Sequence, residues 1–436
     1  MPIAPMPLPE HPLRLSLNDE LHARPPVTLA GAAWITHLVM LHDRPEGRIS
    51  AAAEESHLKV LCDLSQSPFG SQIHGNHWIL EAQGLRLKWE RHNEFSSYTF
   101  FRERKPGHGP RTNALEAFPR EWVMDIPGHL LVASHVEYCT REQRDPEALA
   151  AELAAASETT VVSHIAGGSV LVASDFRLHD GFTHFTLVDD NPQNHHAGGT
   201  VQRLLEIETY RMMALLSFPV AREVGQRLGR DEQEAAELME EMAADRGPEG
   251  ERAILARLTR LAADIELSVS RTAFRFGAAE AYYALVRQRI TDLREQRIDG
   301  LPTLQAFMDR RLAPAIQTCL STARRQNELS SRIARNSALL RTRVEMELER
   351  QNQQLLSQMN RRAKLQLRLQ ETVEGLSVVA ITYYASQLVH YLAEGGHSLL
   401  PAGWSPEGIT AAAIPIIGGL VAWSLHRMRK GLKDQH

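Results

Sequence analysis

Two hydrophobic periods divide the chain. Up to about residue 197, apolar positions recur every second residue in short runs bounded by turn formers, as half-buried strands require. "AAWITHLVML" (32–41) suits a buried strand, and "EGRISAAAEESHLKVLCDL" suits a helix. "HWILEAQGLRLKWERHNEFSSYTFF" reads as a hairpin turning at Gln83-Gly84. Its second strand is long, with Leu85, Leu87, Trp89 and Phe95 sharing one face. A strand in "GHLLVASHVEY", a helix in "DPEALAAELAAA" and a strand in "TTVVSHIA" follow. That helix has Asp145 as its cap and Pro146 at its first position. "SVLVASDFRLHDGFTHFTLV" is a second hairpin, in which Asp180-Gly181 supplies the positive φ of a tight turn.

From Gly198 onward the period is helical nearly to the end. "TVQRLLEIETYRMMALLSFPVAREV" predicts a helix kinked by Pro219, and 251–297 a long one ending at Asp299-Gly300-Leu301-Pro302. A last helix starts near Pro314 and meets no further Gly or Pro before Gly375, about 90 Å of helix at 1.5 Å per residue. Ile333, Leu340, Val344, Leu348, Leu355, Met359, Ala363 and Leu367 form a stripe along it, while Glu345, Glu349, Arg361 and Arg362 stand on the solvated face. Isolated helices are marginal, so a narrow stripe on a long charged helix predicts a coiled stalk and self-association.

The stalk leads into two stretches without formal charge. Residues 375–393 and 408–425 are each long enough to cross a hydrocarbon layer, and Gly395, Gly396, Pro401, Gly403 and Pro406 punctuate the connection. Trp404 and Trp423 stand near the ends, where amphipathic rings settle at headgroups. Arg361, Arg362, Lys364 and Arg368 precede the first stretch, and Arg427, Arg429, Lys430 and Lys433 follow the second. The connecting loop has Glu394 and Glu407 but no Lys or Arg. The positive-inside rule then places both termini and the bulk of the chain in the cytoplasm, with the loop outside an inner membrane.

Composition leaves this picture in place. With 436 residues and a formal charge of −5, nothing favours nucleic acid as a partner. "MPIAPMPLPEHPL" has neither the basic nor the apolar region of a signal peptide. Cys62, Cys139 and Cys319 are far apart and read as reduced thiols. The expected fold class is α+β: a mixed α/β cytoplasmic domain, a long helical stalk and a C-terminal two-helix transmembrane hairpin. The expected divisions are a flexible Pro-rich start (1–15), the α/β domain (16–197), the stalk (198–371), the hairpin (372–427) and a basic tail (428–436).

Several long segments carry a family resemblance: "LNDELHARPP", "WERHNEF", "DFRLHDGF", "VQRLLEIETYRMMALL", "RTRVEMELERQNQQLLSQMNRRAKLQLRLQ" and "TVEGLSVVAITYY". On these the chain resembles, over essentially its whole length, an uncharacterised bacterial membrane-anchored family, domain of unknown function 3422. The resemblance implies no activity. The layout alone also resembles CorA-type magnesium channels, which form pentamers around their first span with a Gly-Met-Asn filter at its outer end. The corresponding stretch here, "SQLVHYLAEGG", has no such triplet, which counts against magnesium transport.

Thr382, Ser386 and His390 follow at i, i+4 and i+8 with Gln387 beside them, so they line one face of the first span. They would face a pore in an oligomer, or the second span. Glu90, His92 and Glu94 alternate along the "KWERHNEF" strand and could converge on a divalent cation, although an exposed strand face commonly carries such charge. His74, His77 and the pair His195-His196 lack a completing ligand set. "LHARPP" ends a short helix in which Glu20 and Arg24 can pair, and Gly198-Gly199 open a helix where a tight entry turn is expected. No GxSxG, HExxH or paired-carboxylate pattern suggests a reaction. The reading is a membrane-anchored homo-oligomer, associated through stalk and first span, acting as scaffold or sensor without catalysis. The alternatives are a CorA-like ion channel or transporter with an altered filter, and an enzyme whose site the sequence does not advertise.

Overall fold

The computed structural model describes residues 11–15, 17–18, 26–29, 31–42, 49–65, 75–82, 85–104, 113–156, 160–191, 197–244, 247–396 and 405–433. The chain forms two compact units: residues 1–244 with 256–337, and residues 245–255 with 338–436.

The first unit is built on a ten-stranded sheet. Its strands are β1 (Ala33–Leu41), β2 (His77–Ala82), β3 (Leu85–Arg91), β4 (Phe95–Glu103), β5 (His129–Thr140), β6 (Val161–Ile165), β7 (Val170–Ser174), β8 (Leu178–His179), β9 (Phe182–Asp189) and β10 (Gln296–Arg297). They lie in the order β10-β6-β7-β9-β5-β1-β4-β3-β2, with β8 paired to β9. The β5–β9 pair is parallel and the other pairs are antiparallel.

Helices cover both faces, which is why β1 is apolar almost throughout. On one side, α1 (Ala51–Ser65) and α2 (Arg120–Met124) bury Leu58, Leu61 and Trp122 against Leu38, Met40, Trp89, Tyr98 and Phe100. Beside them α3 (Pro146–Ala156) packs Leu149 on Cys139, Val162 and Val188. Asp145 caps α3 by accepting from the Glu147 N–H at 3.1 Å, as its sequence suggests.

On the other side lies α4 (Ala197–Leu215), with parts of three further helices, α6 (Gly247–Asp292), α7 (Leu304–Arg311) and α8 (Ala313–Gly395). Val201, Leu204, Leu205, Val286, Leu304 and Ile316 meet Ile35, Val136, Val172 and Phe185 there. Between α4 and α6 comes α5 (Ser217–Ala243). The kink expected at Pro219 falls at Leu216, a one-residue interruption whose backbone stays helical (φ −57°, ψ −24°), and Pro219 stands in the first turn of α5, where its missing N–H is harmless. Away from the sheet, Arg325 of α8 grips Glu232 of α5 (2.6 and 3.0 Å), and Gln326 donates to Ser268 of α6 (2.9 Å). Ala221, Phe276 and Cys319 pack between these three helices. All three cysteines are buried and unbridged.

Two turns decide the register. Asp180 (φ 53°) and Gly181 (φ 86°) close the hairpin into β9 as expected. The long strand through "WERHNEF" is corrected: the chain reverses at His92-Asn93-Glu94, and β3 pairs with β4 through Trp89↔Tyr98 and Arg91↔Ser96. Phe95 therefore does not share a face with Trp89. It packs with Val39, Val132 and Met213 on the α4 side, while Trp89 packs on the α1–α2 side. The physical reason is the polar run Arg91-His92-Asn93-Glu94, which offers nothing to bury and contains the turn former Asn93.

In the second unit α8 carries the expected stripe. Leu340 is buried, but Leu348, Leu355, Met359 and Leu367 are exposed in the single chain. The last helix, α9 (Pro406–Lys433), contains the one segment among the described residues that is long and apolar enough to cross a membrane, Pro406–Ser424, with mean hydropathy 1.4. The first expected span, 375–393, is helical but does not pass the same test, because Ser377, Thr382, Ser386, Gln387 and His390 dilute it.

Gly198 tests the packing of α4. A β-carbon there would lie 1.7 Å from the backbone oxygen of Val27, so only glycine permits this approach. Gly198→Ala should destabilise the chain by about 1–3 kcal/mol, read by urea unfolding. An unchanged midpoint would mean that α4 does not sit this close.

Candidate functional site: a charged cavity over the sheet

Beneath α4 the sheet is not filled with apolar side chains. A cavity of about 250 Å³ opens there, floored by β1, β3 and β4 and roofed by α4, with Arg289 of α6 at its side. Its floor follows from strand register. His37, Thr99 and Lys88 lie in one row across β1, β4 and β3, and Ser97 and Glu90 lie opposite each other in the next. Residues two apart on a strand share a face, so Lys88, Glu90 and His92 all line the cavity.

A hydrogen-bonded chain joins floor to roof. His37 Nδ1 lies 2.9 Å from Thr99 Oγ1, and His37 Nε2 lies 3.0 Å from Thr209 Oγ1 on α4. Thr209 donates its hydroxyl proton to the Leu205 carbonyl at 2.9 Å, so it accepts from His37. The proton of the neutral ring therefore sits on Nε2, and Thr99 donates to Nδ1. Burial, followed by the Lys88 charge, pushes the His37 pKa down to about 3. This imidazole is a neutral connector.

Two ion pairs complete the walls. Lys88 Nζ is 3.0 Å from Glu90 Oε1, with the Lys88 side chain 4% and the Glu90 side chain 13% exposed. On the roof Glu206 accepts from Arg289 Nε, and Gln202 Nε2 donates to Glu206 Oε1 at 2.8 Å. Gln202 Oε1 is buried without a hydrogen-bond partner among the described residues. Val201, Leu205, Phe101 and Val27 supply apolar wall.

The expected cation site is corrected. Glu94 sits in the β3–β4 turn and faces α6, taking Arg275 (2.7 and 3.2 Å) and the Tyr282 hydroxyl (2.9 Å). Glu90 is paired to Lys88, and His92 stacks on Phe95 with centroids 4.4 Å apart. Among the described residues no three His, Cys, Asp or Glu side chains are placed to hold a metal ion. The reversal at Asn93 turns Glu94 away from Glu90 and His92, which stay on the cavity.

Elsewhere, His390 Nδ1 is 3.1 Å from Thr410 Oγ1, which itself donates to the Pro406 carbonyl. Ser386 is buried and donates to the Tyr383 carbonyl at 2.8 Å, Gln387 is half-buried, and Thr382 lies under Gly418. Arg427 stacks over the Trp423 ring at 5.3 Å. Trp404, His74, His195, His196, Glu20 and Arg24 lie outside the described residues, as do the side chains of Arg429 and Lys430. Gly198 and Gly199 belong to the first turn of α4, where Gly198 serves close packing.

Motif reasoning missed Lys88, His37, Gln202, Glu206 and Arg289. The available signal was charge on faces that must be buried: Lys88 beside Glu90 on an inward strand face, and Glu206 among Val201, Leu205 and Thr209 on a helix that covers a sheet.

Fold and site together define a mixed α/β protein with a charged cavity over its sheet, followed along the chain by a long-helix unit that ends in an apolar helix. A family model described as a protein of unknown function (DUF3422) matches residues 9–432, and the chain belongs to that family. No curated protein and no solved structure matches it. Two of its family-like segments, "WERHNEF" and "VQRLLEIETYRMMALL", meet at the cavity.

Burial also sets a pH dependence. His37 and His135 are held down to about 3 and about 4, chiefly by desolvation, whereas both titrate near 6.5 once unfolded. Between those limits the unfolded chain binds more protons, so this contribution is full above pH 6.5 and is lost as pH falls. The slope for each histidine approaches about 1.4 kcal/mol per pH unit. Urea unfolding near pH 7 and near pH 4.5 should show the loss, and His37→Gln should flatten it. A His37→Gln variant with the wild-type slope would contradict the assignment.

Proposed function

We propose that the chain is a membrane-anchored protein of the cytoplasmic membrane, with its bulk on the cytoplasmic side, acting as an oligomeric scaffold or sensor without catalysis. The observation that carries this reading is α9: its apolar window, Pro406–Ser424, is 0% buried. A core helix of a soluble protein would pass the same length test while mostly covered, so this one requires lipid or a partner. Trp423 with Arg427 at the end of the window, and the basic tail to Lys433, fit an interface on the cytoplasmic side. The contacts His390–Thr410 and Thr382–Gly418 run in opposite chain directions, which supports an antiparallel pair of spans. The exposed residues Leu348, Leu355, Met359 and Leu367 support self-association through the stalk.

The same contacts favour an anchor over an ion path. A channel would turn Thr382, Ser386 and His390 to a water-filled axis, whereas here they lean on α9 or on their own helix. The charged cavity gives the cytoplasmic body a place to sense a small molecule.

Reporter fusions at Ser398 and after His436 should read outside and inside, respectively; an inside reading at Ser398 would remove the paired-span arrangement. In reconstituted vesicles the protein should pass mono- and divalent cations no faster than empty vesicles do. Ser386→Leu should cost only about 0.6–2 kcal/mol of interhelical packing. Wild-type flux that Ser386→Leu abolishes would establish the transport alternative instead.

A further inference from the structure

We infer that the cavity between α4 and strands β3 and β4 binds a small zwitterion: a molecule of amino-acid size with one carboxylate and one protonated amine on an apolar stem. The inference specifies the sensor part of the reading above and is independent of membrane anchorage.

Charge balance comes first. The walls hold two cations, Lys88 and Arg289, and two anions, Glu90 and Glu206, in two separate pairs. A purely anionic or purely cationic guest would leave one sign of wall charge facing its like in a poorly solvated space. A zwitterion meets both signs at once.

Unused bonding capacity comes second. A lysine ammonium has three N–H donors, and among the described residues Lys88 has one acceptor, Glu90, at 3.0 Å and 4% exposure. Arg289 spends Nε on Glu206 and Nη1 on Asp292 (3.3 Å), leaving donors over. Buried polar groups are normally satisfied, so spare donors on Lys88 and Arg289 beside the carboxylates of Glu90 and Glu206 ask for a guest with both functions. The Lys88 and Arg289 donors suit a carboxylate, and the Glu90 and Glu206 carboxylates suit an ammonium.

Size and lining come third. The cavity's 250 Å³ is far above the roughly 10–15 Å³ that a single water needs, so it admits a molecule of amino-acid size. Val201, Leu205 and Phe101 give its stem an apolar wall.

The test is titration calorimetry on the detergent-solubilised full chain with L-leucine, L-methionine and γ-aminobutyrate, each beside its charge-stripped analogues. For leucine these are 4-methylpentanoate, which lacks the amine, and 3-methylbutylamine, which lacks the carboxylate. At least one zwitterion should bind one to one, and each of its stripped analogues about 10- to 100-fold more weakly, as expected for losing a charged hydrogen bond. Lys88→Met should abolish binding while the unliganded chain still unfolds cooperatively. The comparison of ligands on the wild type decides the matter even if that variant misfolds. No binding by any of the three at about 10 mM, or a stripped analogue that binds as well as its parent, overturns the proposal. Neither result bears on the topology of α9, and a failed topology assay leaves this one standing.

Discussion

A buried, uncharged imidazole holds the first unit in its working shape. His37 stands in the middle of the sheet and uses both ring nitrogens, one for Thr99 on the neighbouring strand and one for Thr209 on α4. An imidazole at this depth avoids a large penalty only if it stays neutral and both nitrogens are satisfied. That double condition sets the rotation of α4 about its own axis. Once Thr209 faces His37, Gln202, Leu205 and Glu206, one and two turns away, must face the sheet as well. Gly198 sets the approach at the other end by admitting the Val27 carbonyl. The cavity is therefore a consequence of how α4 is held, with a hydrogen-bonded chain at one end and backbone contact at the other.

What fills its walls is costly. Taking Lys88 and Glu90 out of water is repaid only in part by their mutual attraction, and well-packed apolar side chains would serve stability at least as well. Away from the cavity α4 buries Leu204 and Ile207 at 0% exposure, but it also buries Glu208 against Arg211 and Thr183. Buried ion pairs are not confined to the cavity: Glu208 of α4 pairs with Arg211, and Glu54 of α1 pairs with Arg91. What distinguishes Lys88 and Glu90 is that their pair borders open space, where a guest can reach it.

The sheet and helices were largely legible because burial on one or both faces imposes a period. The largely apolar β1, the Asp145 cap, the Asp180-Gly181 turn and the unbroken run into α8 could all be read from local pattern. The site was not, because it depends on pairing across long sequence separations. Thr209 reaches His37 across 172 positions, and Arg289 reaches Glu206 across 83. The one local attempt, at Glu90, His92 and Glu94, assumed a continuous strand through Asn93. The turn there sends Glu94 to Arg275 and Tyr282 on α6, where it ties the β3–β4 tip to a helix.

The polar face at the end of α8 raises the opposite problem. In hydrocarbon a hydroxyl or imidazole must find a partner within the protein, and the partners at hand are the turn below on the same helix or the neighbouring helix. Ser386 takes the first, through the Tyr383 carbonyl, and His390 takes the second, through Thr410. Thr382 Oγ1 is buried without a hydrogen-bond partner among the described residues, and the threonine packs against Gly418, whose missing side chain lets the helices close. Small residues and hydroxyls meeting in this way join transmembrane helices by close packing. A water path would draw on the same three side chains, and each that is turned to α9 or to its own backbone is one fewer to line it. On the anchor reading the polarity that keeps 375–393 from passing as a span by itself is what attaches it to α9, which does.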